Sequence, residues 1–183
     1  MNRLENARIY LCGAMDAVPD GGVQWRARVK AQLADLDINW LDPCFKPTTL
    51  AVESEESRRI LNWAKERGDY EYVTKQMKLI RHIDLRMTDI SDAILVNIDL
   101  DVVMTGTYEE IFCANRSKKP IIIRCEQGKN KIPNWLFGAL PHQMFFSTWD
   151  EVGDYLRQVA RANVVDTYSR WCFFDLEPGG TGE

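Results

Sequence analysis

The chain has 183 residues, 45% of them hydrophobic, which is enough for one globular domain with a sizeable core. Its net charge of -4 argues against a protein that coats nucleic acid or an anionic membrane. No apolar stretch approaches the roughly 20 residues that span a bilayer, and the first residues lack the apolar core of a signal peptide. We therefore expect a cytoplasmic protein that binds neither polymeric nucleic acid nor a membrane.

Cysteine and histidine usage bears on cofactors. The 5 cysteines are scattered without a Cys-x-x-Cys pair, a pattern typical of reduced, intracellular proteins in which thiols behave as small hydrophobes. There are only 2 histidines, and no spacing resembles a set of metal ligands. We expect neither a metal ion nor an organic cofactor.

Strand and helix patterns alternate along the chain. Apolar runs predict strands at 7–12, 38–41, 92–98, 120–124 and 143–146. Amphipathic segments predict helices at 23–36, 54–67, 70–90, 106–117, 133–138 and 149–162. This alternation predicts a single-domain, three-layer α/β/α fold around a five-stranded parallel sheet of order 2-1-3-4-5. We expect the domain to span 1–176, followed by a flexible tail at 177–183.

The predicted sheet order locates the ligand site. In such sheets, ligands bind beyond the carboxyl ends of the strands, near the switch point between strands 1 and 3. The site should therefore be built by the loops that follow Cys12, Asp42, Ile98 and Arg124. Gly13, directly after strand 1, would let the backbone approach a ligand closely.

A carboxylate on the buried side of a predicted helix is the strongest functional signal. At helical spacing, Glu110 falls on the stripe that should face the core, whereas Glu109 points elsewhere. The other members of this stripe are Thr107, Ile111 and Ala114. Burying an ionised carboxylate is costly unless it is compensated, so Glu110 is a candidate functional residue.

Two further polar residues are expected at the same end of the sheet. Asp84 lies on an apolar helical stripe with Met77, Ile80 and Met87, and an ordinary capping or ion-paired aspartate is the alternative interpretation. Tyr10 lies in strand 1, just before the turn, and a core tyrosine is the alternative there. Two carboxylates and a tyrosine at one edge together favour a catalytic site.

Two places along the chain could meet an anion. Gly106 and Thr107 begin the predicted helix of Glu110 and supply free backbone N–H groups at the positive end of its dipole. That field lowers the pKa of Glu110 while burial raises it, which favours a nucleophile ionised near neutral pH. The basic cluster that begins at Arg26 is expected to be a solvated helix face instead.

The motifs of the chain follow one another in a specific order. They are Ile9-Tyr10-Leu11-Cys12-Gly13-Ala14, then Asp84 eight residues before Asp92, then Gly106-Thr107-Tyr108-Glu109-Glu110-Ile111-Phe112-Cys113-Ala114, and finally Lys119-Pro120-Ile121. In this order and spacing, over most of residues 7 to 150, the chain resembles the nucleoside 2-deoxyribosyltransferase family. That family includes hydrolases of deoxynucleoside 5'-monophosphates.

The resemblance implies roles for individual residues. Glu110 matches the nucleophile that attacks the anomeric carbon of deoxyribose and forms a covalent glycosyl-enzyme, and Tyr10 matches the tyrosine that orients it. Asp84 matches the aspartate that contacts the base and assists its protonation. Asn134 matches a polar residue that one subunit lends to its neighbour's site, which implies a homodimer or larger homo-oligomer. The implied substrate is a 2'-deoxynucleoside or its 5'-monophosphate.

Two departures from the family pattern concern the substrate pocket. Met104 stands six positions before Glu110, where the family commonly has an Asp or Ser that contacts the sugar or phosphate. We expect Asp101 or Thr105 to make that contact. The segment 45–80 is long for the family, and we expect it to form a lid.

Three alternatives to transfer stay open. One is a hydrolase that releases the free base from nucleoside 5'-monophosphates. The segment from Gly106 to Glu110 is also similar to a turn of nucleoside-monophosphate phosphoribohydrolases, although the preceding Val103-Met104-Thr105 lacks their Pro-Gly-Gly and Tyr10 and Asp84 stay unexplained. The last is a non-catalytic nucleotide-binding sensor, which Met104 favours and the three candidate catalytic residues together oppose.

Overall fold

The computed structural model describes residues 2–46, 51, 53–161 and 168–171. The strands are β1 (Arg8–Gly13), β2 (Asn39–Leu41), β3 (Ala93–Ile98), β4 (Ile121–Cys125) and β5 (Phe145–Phe146). The helices are α1 (Val23–Gln32), α2 (Glu55–Glu66), α3 (Tyr70–Ile90), α4 (Thr105–Arg116), α5 (Asn134–Ala139) and α6 (Trp149–Ala160). Within these ranges, no helix has the length and apolar character needed to cross a lipid bilayer.

The five strands form one parallel sheet of order β2-β1-β3-β4-β5, as predicted. β2 lies on one side of β1, and β3, which follows β2 in the chain, lies on the other side. The loops after β1 and β3 therefore lead in opposite directions and leave a crevice between them. Tyr10 pairs with Ile94 and Cys12 with Val96 across this junction. The switch point therefore lies beside Tyr10, the candidate catalytic residue of β1.

Alternate residues of β1 enter cores on opposite faces of the sheet. Tyr10 and Cys12 belong to the core that is covered by α3, α4 and α5. Ile9 and Leu11 belong to the core that is covered by α1 and α6. The predicted three layers are confirmed, and the first of these faces carries the site.

A buried arginine holds the turn between β1 and α1. Arg26 is only 1% exposed, and its guanidinium donates to the carbonyl oxygens of Leu11, Gly13 and Gly22 at 3.3, 3.0 and 2.9 Å. The expectation of a solvated face is therefore wrong at this residue. Its charge is compensated by these backbone carbonyls, which shape the loop beside the crevice, and by the buried Asp42, whose Oδ1 lies 3.8 Å from Nε of Arg26.

The observed elements differ from the predicted ones mainly at their ends. The first helix ends at Gln32 and is followed by a separate 3-10 turn over Ala34–Leu36, because Leu33 leaves helical geometry. β5 is shorter than predicted because His142–Met144 forms a 3-10 turn that bonds locally. Trp171, from the apolar stretch near the end, is fully buried. The predicted boundary at 176 and tail at 177–183 lie outside the described residues.

Candidate active site

A cavity of about 670 Å³ lies at the carboxyl end of β1. Its walls are formed by Tyr10, the loop residues 13–17, Glu53, several α3 residues between 73 and 85, and residues 103–107, 109 and 110 around the start of α4. Its place beside the switch point is where the sheet order predicts a ligand site.

Glu110 lines this cavity with both carboxylate oxygens held. The residue is 9% exposed, the Tyr10 hydroxyl donates to Oε1 at 2.8 Å, and the Cys12 thiol donates to Oε2 at 2.8 Å. Burial raises the pKa of Glu110 from 4.5 to about 7, and the hydrogen bonds from Cys12 and Tyr10 oppose that rise. Near neutral pH the carboxyl group is therefore divided between its protonated and its ionised form.

The local sequence explains this geometry. Tyr10 and Cys12 are two residues apart on β1, so their side chains leave the sheet on the same face. Glu110 belongs to the buried stripe of α4, together with Thr107 and Ile111, and α4 packs over that face of β1. The Cys12 thiol also lies 3.7 Å from the carbonyl oxygen of Thr107. Strand alternation and helical spacing together bring the three polar groups into contact.

A buried lysine lies between two carboxylates in the same region. Nζ of Lys46 is 2.6 Å from Oε1 of Glu53 and 2.8 Å from Oδ1 of Asp84, and the three side chains are 3%, 7% and 14% exposed. The contact with Asp84 is an ion pair rather than an aligned hydrogen bond, since Oδ1 of Asp84 accepts no hydrogen bond from the residues that the structure describes. Asp84 is thus both ion-paired and part of the cavity wall.

This cluster can hold a proton. Burial raises the pKa of Asp84 and of Glu53, and the Lys46 ammonium opposes the rise in both. Because one positive charge faces two carboxyl groups, one of the two retains its proton more easily than an isolated carboxyl would. Beyond burial, the charge of Asp84 also raises the pKa of Glu110. The cavity therefore joins a candidate nucleophile to a candidate proton donor.

Gly13 lines the cavity, and a tryptophan ring occupies the space that a side chain at this position would need. A Cβ at this position would lie 2.8 Å from Cζ2 of Trp25. Glycine is therefore required for packing as well as for open backbone beside the cavity. Residues 105–107, at the first turn of α4, also line the cavity, and a Cβ on Gly106 would meet nothing within 4 Å.

Replacing Gly13 with alanine is expected to lower the free energy of unfolding by about 1–3 kcal/mol, because the added methyl group overlaps the Trp25 ring. Urea denaturation measures this change. Gly106→Ala is the matched control: its Cβ enters open space on a helix, so the free energy of unfolding should stay the same or rise by up to about 1 kcal/mol. Equal losses in the two variants would contradict the packing role of Gly13.

Two residues predicted to bind substrate do not line the cavity of a single chain. Asp101 is exposed, and its Oδ2 accepts a hydrogen bond from Nε2 of Gln127 at 3.0 Å. Asn134 is exposed at the first residue of α5, so its predicted role concerns a neighbouring subunit's site. Met104 does line the cavity, and its sulfur accepts the backbone N–H of Asp99 at 3.3 Å. Met104 thus makes a contact within the protein at the position where the family commonly has an Asp or Ser that contacts the sugar or phosphate.

Three residues of this arrangement were not predicted. The sequence indicated that Cys12 is a small hydrophobic residue. Its position two residues after Tyr10 could have indicated that the two side chains share one face of the strand. Lys46 and Glu53 flank a loop-like segment without periodicity, so no sequence pattern connected them with Asp84. In the described part of the chain, no three His, Cys, Asp or Glu side chains are grouped as a metal site would require.

Known structures share this fold. The chain is similar to a 2-deoxyribosyltransferase from the psychrotolerant bacterium Bacillus psychrosaccharolyticus, with a TM-score of 0.57 and 18% identity over 81% of this chain and 92% of that one. It is also similar to a conserved protein from Enterococcus faecalis V583, with a TM-score of 0.53 and 13% identity over 84% of this chain and 99% of that one. No protein-family model and no curated protein matches the sequence. At these identities the similarities show a common fold.

Proposed function

We propose that this protein cleaves the N-glycosidic bond of 2'-deoxynucleosides or their 5'-monophosphates, as a nucleoside 2-deoxyribosyltransferase-like enzyme. The observation that carries the proposal is the buried Glu110 carboxylate on the cavity wall, which accepts hydrogen bonds from Tyr10 and Cys12. Asp84 on the same cavity supplies the second acid that such a reaction needs. The fold shared with a 2-deoxyribosyltransferase supports the proposal.

In the first step, an oxygen of Glu110 attacks C1' of the deoxyribose while the bond from C1' to the base nitrogen breaks. The transition state is oxocarbenium-like, so an adjacent anionic oxygen stabilises it before the new bond is complete. The base leaves with the bonding electron pair and takes a proton from Asp84, which allows it to leave as a neutral molecule. The step yields a deoxyribosyl ester of Glu110, a free base and an ionised Asp84.

In the second step, an acceptor attacks C1' and Glu110 leaves as a carboxylate. The proton that the acceptor loses returns to Asp84, so the enzyme is restored. A second base as acceptor gives a new deoxynucleoside, and water gives free deoxyribose. Exclusion of water therefore decides between transferase and hydrolase.

Two parts of the chain are proposed to complete the cavity. The segment 45–80 supplies Glu53 and several α3 residues to the cavity wall, and we assign to it the predicted role of a lid that excludes water. Asn134 is proposed to enter the cavity of a neighbouring subunit, because it is exposed and lies outside the cavity of its own chain. The proposed active unit is therefore a homodimer or a larger homo-oligomer.

The charges around the cavity favour an uncharged nucleoside over a 5'-monophosphate. Acidic residues outnumber basic ones in its walls, and the basic Arg81 already donates to Glu109 at 2.8 Å. Even when the Lys46 ammonium beside Glu53 and Asp84 and one proton retained in that cluster are counted, a phosphate in the cavity would meet an excess of negative charge. The acidic residues are Asp16, Glu53, Asp84, Glu109 and Glu110, and the basic ones are Lys78 and Arg81.

Incubation of the protein with a panel of deoxynucleosides and their 5'-monophosphates, with and without an acceptor base, tests the function. Chromatography follows base release and base exchange. Exchange that needs the acceptor identifies a transferase, release alone identifies a hydrolase, and faster reaction of nucleosides supports the charge argument. Tight nucleotide binding without turnover of any substrate would overturn the proposal in favour of a sensor.

The pH dependence of kcat/KM is expected to have an acid limb near pH 7. Burial raises the pKa of Glu110 to about 7, and the protonated form that accumulates at lower pH cannot attack the sugar. Below the pKa, kcat/KM should therefore fall about tenfold per pH unit. The proton that Asp84 must keep for the base sets the opposite limb of the profile, and burial, which raises the pKa of Asp84, moves that limb to higher pH. Initial rates at low substrate concentration measure the profile, and a flat profile down to pH 5 would contradict it.

A further inference from the structure

Two side chains of strand β1 donate hydrogen bonds to the two carboxylate oxygens of Glu110. A role has so far been assigned only to one of these side chains, that of Tyr10. The Cys12 thiol is fully buried and lies 2.8 Å from Oε2, opposite the Tyr10 hydroxyl on Oε1. Burial and the adjacent Glu110 raise the pKa of Cys12 well above its ordinary value. The thiol therefore keeps its proton and can donate it in a hydrogen bond.

A carboxylate held at one oxygen can still turn about its last side-chain bond, because that torsion has a broad energy profile. A second donor at the other oxygen fixes the carboxylate plane. Neither donor can leave this position by a change of backbone register, because both belong to the interior strand β1, which is paired with β2 and β3. The attack on a sugar carbon requires that plane to be set before the substrate arrives.

We propose that Cys12 is a positioning residue that holds Oε2 of Glu110 and, together with Tyr10, fixes the carboxylate plane from which the sugar is attacked. This inference rests on the proposed function. A thiol is a weak donor, so it orients the oxygen while withdrawing less electron density from it than a hydroxyl would. Cys12 thereby combines fixed geometry with a carboxylate that stays nucleophilic.

Two substitutions at this position are expected to move the enzyme in opposite directions. Cys12→Ala removes the donor, so the acid limb of kcat/KM should move to higher pH and kcat should fall roughly threefold to tenfold. Cys12→Ser keeps a donor within hydrogen-bond range and strengthens it, so the acid limb should move to lower pH. If Cys12 had only a structural role, the alanine and serine substitutions would not shift the acid limb in opposite directions.

Cys125→Ala and Cys125→Ser are the matched controls. Cys125 is equally buried and lies in the same core, but its thiol faces Gln127 at 3.8 Å rather than Glu110. The acid limb of both control variants should coincide with that of the wild-type protein. Folding of each variant is checked by its unfolding transition.

The outcomes separate this inference from the function on which it rests. If the wild-type protein turns over deoxynucleosides but Cys12→Ala and Cys12→Ser keep its acid limb, the role of Cys12 is overturned and the function stands. If Cys12→Ala does not fold, Cys12→Ser alone decides by the same comparison. If the wild-type protein turns over no substrate in the panel, the proposed function fails, and the positioning role of Cys12 fails with it.

Discussion

Glu110→Gln is expected to lose deoxynucleoside turnover by at least roughly a thousandfold, because glutamine cannot form the glycosyl ester. The amide has the same size, so the cavity and the hydrogen-bonded contact with Tyr10 can be retained. Glu109→Gln is the matched control: Glu109 lies one residue away, its side chain is 37% exposed, and it is ion-paired with Arg81. Control turnover should stay within a few-fold of the wild-type rate.

The same variant is expected to be more stable than the wild-type protein at alkaline pH. The folded pKa of Glu110, about 7, lies above the ordinary 4.5, so the folded protein retains a proton that the unfolded chain has already released. The resulting loss of stability grows as pH rises from 4.5 to 7 and is complete above 7. At 1.36 kcal/mol per pH unit, it amounts to about 3 kcal/mol at most.

Urea denaturation at two pH values measures this effect. At pH 8, Glu110→Gln should unfold with a free energy about 1–3 kcal/mol higher than the wild-type protein, and at pH 5 the two should be nearly equal. Glu109→Gln should show no gain at pH 8, because it removes an exposed ion pair rather than a buried charge. A Glu110→Gln variant that is less stable than the wild-type protein at pH 8 would contradict the conclusion that burial destabilises the ionised carboxylate.

Asp84→Asn is expected to lower turnover by roughly 10²- to 10⁴-fold, the range that general acid catalysis contributes. Asparagine keeps the size of the side chain but cannot give a proton to the departing base. The loss should depend on the substrate: it should be large for bases that leave poorly without protonation, and small for bases that are stable as anions. Initial rates with a series of bases of graded acidity measure this dependence.

Glu53→Gln is the companion variant for Asp84→Asn. It leaves the Asp84 carboxyl in place beside Lys46 and removes the second carboxylate from that ammonium. With one carboxylate facing one ammonium, the pKa of Asp84 should fall, so the alkaline limb should begin at lower pH. The dependence of the rate on the leaving base should stay that of the wild-type protein.

An equal loss for all bases in Asp84→Asn would show that Asp84 is not the proton donor.

Much of the fold followed from hydrophobic periodicity. α3 was predicted over the range that it occupies, Tyr70–Ile90, and the parallel sheet follows from the alternation of buried strands with helices. The burial of Glu110 followed from its place on the inner stripe of α4, and the shared edge of the sheet brought Tyr10 close to it. These features are set by local spacing, which a sequence displays directly.

Other parts of the site depend on packing that local spacing does not encode. Lys46 and Glu53 are distant from Asp84 in the sequence, so only tertiary packing brings the three side chains together, and neither residue belongs to a periodic pattern. Arg26 was misjudged because Arg28 and Lys30 follow it at alternate positions, so that the three looked like one basic cluster. It shares the helical stripe of Val29, which is buried, and that spacing was the signal for its burial.

Trapping the glycosyl-enzyme tests the central claim, that Glu110 is the nucleophile. A deoxynucleoside with fluorine at the 2'-position and a base that leaves readily should form the ester and release it slowly, because fluorine destabilises the oxocarbenium-like state of both steps. Peptide mass spectrometry is then expected to find one sugar on the peptide that contains Glu110, and none in Glu110→Gln. A sugar attached to a different residue, or wild-type turnover by Glu110→Gln, would contradict the assignment.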